Sequence, residues 1–155
     1  MISSILLFFG KYGIFLLIVI SLINYKKERK TLIAFILSTI VSYAISAFYY
    51  TPRPFVKESF APLIAHSANS SFPSKNASVG FSLSFSTFKT SNMLGMVSLA
   101  IAILMSVGRV YAGIHYLTDI IAGVVIGALC SYAAYSKTTD NILRKNKILK
   151  KIFLS

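Results

Sequence analysis

Apolar residues run along this chain in long blocks separated by short polar or charged stretches, and the blocks set the first expectation. Windows 2–25, 31–50, 93–107 and 114–135 are nearly unbroken, whereas 78–88 reaches helical length only with its flanks. A helix needs ~20 predominantly apolar residues to cross the hydrocarbon core of a bilayer, fewer if polar ends snorkel to the surface. The pattern therefore predicts an all-α integral membrane bundle of about five transmembrane helices, the third carrying the weakest signal. The same pattern divides the chain into a membrane-embedded domain, 1–136, and a basic tail, 137–155. Lys11 interrupts the first window and no small-residue cleavage site follows, so it reads as a membrane helix rather than a signal peptide.

Composition strengthens this reading. Of the 155 residues, 55% are hydrophobic, and the mean hydropathy is +0.72, too apolar for a soluble domain of this size. A net charge of +12 suits nucleic acid, but its placement suits a bilayer better. In an alternating topology eleven cations share one side: Lys26, Lys27, Arg29, Lys30, Lys89, Lys137, Arg144, Lys145, Lys147, Lys150 and Lys151. Five share the other: Lys11, Arg53, Lys57, Lys75 and Arg109. The excess of Lys and Arg on cytoplasmic loops then puts the C-terminus in the cytoplasm and the N-terminus outside. Segment 141–151 reads as an amphipathic end in contact with lipid headgroups, and no nucleic acid partner is expected. The single Cys130, mid-helix among small residues, reads as packing rather than as a nucleophile.

The candidate chemistry gathers at the ends of these windows on the outer side. Pro52 and Pro54 bracket Arg53 and end the second helix. Its guanidinium fork can hold a phosphate bidentately or simply anchor the helix end at the interface. Ser74 follows Pro73 and precedes a helical stretch, so it is a candidate N-cap. Free N–H groups and the positive dipole end make that position suitable for a phosphate, with capping alone as the plainer reading. Lys75 adds a cation there, and Asn76 can donate a hydrogen bond but has no proton to give.

His115 and Asp119 are four apart, which on a helix puts them on one face. The carboxylate can then fix the imidazole tautomer and leave the other ring nitrogen free as a nucleophile. Arg109 lies across Gly113, where the chain can turn so that both residues face one pocket. An ionisable cluster of this kind within a membrane chain points to function. Two histidines, one cysteine and four carboxylates, with only Asp119 near His115, disfavour a metal site. No cofactor is expected. His66, in the long outer connection 51–77, reads as a lip or packing residue, with a substitute proton donor as the alternative.

These motifs resemble the type 2 phosphatidic acid phosphatase superfamily, which also includes vanadium haloperoxidases. The runs Tyr50-Thr51-Pro52-Arg53-Pro54-Phe55-Val56, Ile64-Ala65-His66-Ser67-Ala68-Asn69 and Ser71-Phe72-Pro73-Ser74 are similar to the bacitracin-resistance type of undecaprenyl diphosphatase, and the likeness spans roughly 38–135. The resemblance implies a metal-independent phosphatase of the cell membrane acting on a polyprenyl or other lipid diphosphate. Arg53, Ser74 and Arg109 would hold the phosphate, and His115, oriented by Asp119, would form a phosphohistidine that water hydrolyses; Lys75, beside the helix start, is read as a further phosphate-binding cation. Ser46, Asn69 and Gly108 stand where the family often has Lys, Asp and Ser. Lys75-Asn76 stands where this branch has Asp-His, so the family's general acid is missing at Asn76. A positioned general acid contributes ~10²–10⁴-fold, most where the leaving group is a poor one. The expected activity is therefore on diphosphates, whose departing group is a stable anion, rather than on monophosphates. A catalytically impaired protein that binds lipid phosphates is the alternative.

Overall fold

A computed structural model of the chain describes residues 1–24 and 29–153. The described residues form eight helices and no strand: α1 Ile2–Asn24, α2 Lys30–Phe48, α3 Pro54–Lys57, α4 Lys75–Thr87, α5 Asn92–Tyr111, α6 Leu117–Ala134, α7 Lys137–Lys145 and α8 Lys147–Phe153. Four of them, α1, α2, α5 and α6, are long and apolar enough to cross a membrane. Their outward faces carry large apolar side chains, among them Phe8, Phe15, Ile40, Ile103 and Leu129, which suits contact with lipid tails. Tyr25, Lys26 and Lys27, the end of the first window and part of its charge cluster, lie outside the described residues.

The third window differs from the expectation in a way that packing explains. α4 has only 13 residues, about 20 Å of helix, yet it runs between the same two ends of the bundle as its neighbours. It can be short and polar because it touches little lipid: it packs on α1, α2, α5 and α6, and Ala77 through Ser84 are all buried. Its hydroxyls are satisfied inside the protein. Ser82 donates to the Ala34 carbonyl of α2 at 3.1 Å, Ser86 meets Ser131 of α6 at 3.1 Å, and Ser84 bonds back to the Gly80 carbonyl at 2.8 Å.

Between helices in lipid there is little hydrophobic driving force, so close backbone approach and hydrogen bonds carry association. Gly127 shows how close the approach is, since a Cβ there would lie 2.7 Å from the Ser78 carbonyl oxygen. On the opposite flank a Cβ at Gly108 would lie 2.1 Å from the Leu6 carbonyl oxygen. That contact gives a physical reason for glycine where the family often has serine.

At one end of the bundle Arg53 follows α2, Ser74 starts α4, Arg109 sits in the last turn of α5 and Asp119 in the first turn of α6. The other end gathers cations. Lys30 and Lys89 lie 5.6 and 5.8 Å from the Tyr135 ring centroid, and Lys30 pairs with Asp140 of α7 at 2.6 Å. Leu143 of α7 is buried, so that helix rests part of its apolar face on the protein.

Candidate functional site

The site is built from four connections and begins with Arg53. Pro52 and Pro54 cannot continue α2, and the chain turns extended at Tyr49 and Arg53 before the single turn of α3. The guanidinium is buried, and each of its nitrogens has a partner. Nε and one terminal nitrogen donate to Asn69 Oδ1 at 3.1 and 2.8 Å, and that terminal nitrogen also reaches the Ser70 carbonyl at 3.1 Å. The other donates to the Ile114 carbonyl at 2.6 Å and meets His115 Nε2 at 3.2 Å.

His115 and Asp119 pair, though not for the expected reason. α6 begins at Leu117 with Tyr116 as N-cap, so His115 precedes the helix instead of sharing its face. Asp119, at the third helical position, reaches back: Oδ2 accepts from the Tyr116 N–H at 2.8 Å and lies 3.2 Å from His115 Nδ1. Ser71 also donates to Asp119 Oδ2 and sits 3.4 Å from His115 Nδ1. With a carboxylate on Nδ1 and a cation on Nε2, the neutral ring keeps its proton on Nδ1 and a lone pair on Nε2. Burial is the main reason that His115 is drawn down to a pKa of about 4. The bond to Asp119 pulls it up and the nearby Arg109 and Arg53 push it down again, so the ring is neutral at ordinary pH.

Ser74 caps α4, accepting from the Ala77 N–H at 3.4 Å, while its own N–H donates to the Asp119 carbonyl at 3.1 Å. The phosphate-ready helix start is thereby tied to the His–Asp turn. Lys75 turns toward α2, its ammonium 4.4 Å from the Tyr43 ring centroid. Asn76 lines a cavity of about 540 Å³ together with Arg109, His66, Lys11, Tyr12 and Ile64.

Arg109, also buried, donates to the Gly10 carbonyl at 3.1 Å and meets His66 Nε2 at 3.3 Å. Its Nε is buried with no hydrogen-bond partner among the described residues. A buried cationic donor left over beside a cavity suits an anionic ligand.

His66 thus contacts Arg109 at the edge of the cavity. Its Nδ1 lies 3.1 Å from the Ser67 carbonyl and its ring centroid 6.4 Å from that of His115. The loop that carries it is pinned: Leu63 N–H donates to the Ala112 carbonyl at 3.1 Å and Phe55 N–H to the Gly113 carbonyl at 3.2 Å. Gly113 has φ +73, and a Cβ there would lie 2.5 Å from the Phe60 ring. Glycine thus serves both the left-handed turn and the close approach of the loop. Ser71 carried no signal of its own, one serine among many; His66 carried one, a histidine in a long loop.

Ser46 donates to the Phe72 carbonyl at 3.0 Å and so steadies the loop before Ser74.

Residues 27–143 match the family described as the PAP2 superfamily. Over 138 residues the chain is 27% identical to undecaprenyl-diphosphatase BcrC of Bacillus subtilis (strain 168), covering 84% of this chain and 72% of that protein. A bacitracin transport permease protein BcrC of Bacillus licheniformis is also 27% identical, over 83% of this chain and 68% of that one. Among solved structures, Aquifex aeolicus LpxE superposes with a TM-score of 0.69 at 24% identity, covering 85% of this chain and 82% of its own. A transmembrane PAP2-type phosphatidylglycerolphosphate phosphatase from Bacillus subtilis gives 0.67 at 21% identity, covering 91% and 77%. These two likenesses establish the fold.

Proposed function

The chain belongs to the PAP2 superfamily and is a membrane lipid phosphatase, and we propose that it hydrolyses undecaprenyl diphosphate to undecaprenyl phosphate and inorganic phosphate. The observation that carries this is the His115 arrangement: Asp119 on Nδ1, Arg53 on Nε2, and the ring held neutral. In the proposed reaction the terminal phosphate enters beside Nε2, displacing Arg53 from the ring onto phosphate oxygens. The unpaired Nε of Arg109 and the N-terminus of α4 at Ser74 take the remaining oxygens. Nε2 attacks phosphorus, the bond to the bridging oxygen breaks, and lipid phosphate leaves. Asp119 stabilises the imidazolium character of the phosphohistidine. Water then attacks the phosphohistidine and releases inorganic phosphate.

A diphosphate is favoured over a monophosphate for two reasons. Its leaving group is already a stable anion, and Lys11 and Asn76 line the cavity where a second phosphate would sit. The charge pattern along the sequence, eleven cations on one side of an alternating topology and five on the other, supports an extracytoplasmic site and a cytoplasmic C-terminus. The similarity to the Bacillus subtilis undecaprenyl-diphosphatase supports the polyprenyl substrate.

The test is phosphate release from undecaprenyl diphosphate by the purified, detergent-solubilised chain in EDTA, beside His115→Ala. Release that vanishes in the variant supports the reading. Absence of release from both proteins, with vanadate or phosphate still bound, favours a lipid-phosphate-binding protein instead. That second reading draws on Asn76, which gives the cavity a hydrogen-bond donor without an acid.

A further inference from the structure

Phosphoryl transfer at this site needs a base for the attacking water, and where the leaving group is basic, as in an alkyl phosphate, it also needs a proton donor at the departing oxygen. Asn76 can be neither. Asp119 is committed to His115, the Tyr116 N–H and Ser71. The other ionisable side chains lining the cavity are His66, Lys11, Tyr12 and Arg109. Lysine, tyrosine and arginine ordinarily hold their protons to pH ~10 or above, whereas imidazole releases its own near neutrality, where acid–base catalysis is most efficient.

The geometry of His66 fits the task. Its Nδ1–H donates to the Ser67 carbonyl, which leaves Nε2 as the working nitrogen, now facing the Arg109 guanidinium. The ring stands at 74° to His115, with centroids 6.4 Å apart. The two imidazoles thus stand within reach of one bound phosphoryl group, His115 on the nucleophile side and His66 on the side of the Arg109 cavity. The loop is held over the site by its bonds to Ala112 and Gly113, so the ring does not depend on a mobile segment.

We propose that His66 is a catalytic residue, the proton donor to the leaving group and the proton acceptor for the hydrolytic water. The proposal rests on the phosphatase reading. In the first step His115 Nε2 forms a bond to phosphorus, the phosphorus–oxygen bond to the leaving group breaks, and the proton on His66 Nε2 passes to that oxygen. In the second step neutral His66 takes a proton from water, the resulting hydroxide attacks the phosphohistidine, and the nitrogen–phosphorus bond breaks. Inorganic phosphate departs, and His66 again carries two protons.

Charge supplies the switch between states. Without substrate His66 is drawn to the neutral form, first by partial burial and then by Arg53, Arg109 and Lys75, against the Ser67 bond. Lys11 also lines this cavity. A bound phosphate or diphosphate offsets these cations and draws Arg109 onto its oxygens, freeing Nε2 to carry a proton.

The experiment measures kcat for a series of phosphate esters, from 4-nitrophenyl through phenyl to a long-chain alkyl phosphate, with wild type, His66→Ala, His66→Gln and His66→Ala/Asn76→His. Loss of a general acid hurts most where the leaving group is most basic. Both single variants are expected to lose about 10²-fold on the alkyl ester and at least about tenfold less on 4-nitrophenyl phosphate, which steepens the leaving-group dependence. The double variant, with an imidazole restored at position 76, is expected to flatten it again. Equal losses along the series would overturn the proposal and leave His66 as a prop for Arg109. A wild type that releases phosphate from no ester and no lipid diphosphate, while folded by its circular dichroism, would overturn the phosphatase reading and this inference with it. Retained wild-type turnover with a flat His66 response overturns the inference alone.

Discussion

Two histidine–arginine pairs face each other across the site, and they differ in one partner. His115 has Arg53 on Nε2 and a carboxylate, Asp119, on Nδ1. His66 has Arg109 on Nε2 and only a backbone carbonyl, Ser67, on Nδ1. A carboxylate behind an imidazole stabilises the cation that forms when the ring becomes covalently phosphorylated. A carbonyl orients the ring but offers much less to a developing positive charge, which suits a group that only exchanges protons. The arginines differ as well. Arg53 has protein partners on each nitrogen, whereas Arg109 keeps its Nε unpaired. One pair suits the proposed nucleophile, and the other keeps spare hydrogen-bonding capacity on Arg109.

Removing His115, the proposed nucleophile, breaks the comparison most severely. His115→Ala should lower phosphate release at least about 10⁴-fold and abolish an acid-labile phosphoenzyme, whereas His66→Ala should still form it in a rapid-quench assay. A phosphoenzyme in His115→Ala would place the nucleophile elsewhere. Next in size is Asp119→Asn, which keeps the shape but removes the charge behind the ring. Steady-state kinetics should show a fall of up to about 10⁴-fold in kcat with KM little changed. An unchanged kcat would reduce Asp119 to a helix cap.

A smaller effect is expected from Asn76→His, which adds a second imidazole beside Arg109. Alkyl monophosphate turnover should rise about tenfold or more while diphosphate turnover changes less, because only the former has a poor leaving group. Equal rises on both substrates would show that protonation does not set the preference.

The mildest test changes only pH. Burial holds His115 neutral with a pKa of about 4, below the ~6.5 of a free histidine. In NMR titrations of the free protein its ring signals should stay those of the neutral form at pH 6 and shift only toward pH 4. A vanadate or phosphate complex should titrate higher, since the anion offsets Arg53 and Arg109. The linkage has a definite sign. With the folded pKa below the unfolded one, His115 contributes full stability above pH ~6.5 and loses it as pH falls toward about 4. Thermal unfolding in detergent across pH 7 to 4.5 reads that loss, and a melting temperature rising toward acid would contradict it.

Much of the molecule was legible in one dimension. Windows 2–25 and 31–50 became α1 and α2 because each long helix turns an apolar face to lipid. Arg53, Ser74, Arg109, His115 and Asp119 stood out because prolines, glycine and polar residues at the ends of apolar runs are read locally. α4 was harder, since a helix wrapped by other helices need not be apolar and its serines are satisfied by neighbours. The helical pairing of His115 with Asp119 was the right contact on the wrong geometry: the carboxylate of α6 reaches back to a residue before the helix. Ser71 was missed, for it meets Asp119 across 48 positions of sequence.

The sequence by itself determined the membrane class, the charge asymmetry and the residue types that a phosphate chemistry requires. Burial in lipid is non-directional and survives many rearrangements, so composition and periodicity suffice for it. Which imidazole meets which arginine was decided only in three dimensions. Hydrogen bonds tolerate errors of a few tenths of an ångström, and here they depend on distant close contacts. Gly108 lets α5 lie against Leu6, Gly127 seats α6 on Ser78, and Gly113 admits Phe60 beneath the loop that carries His66.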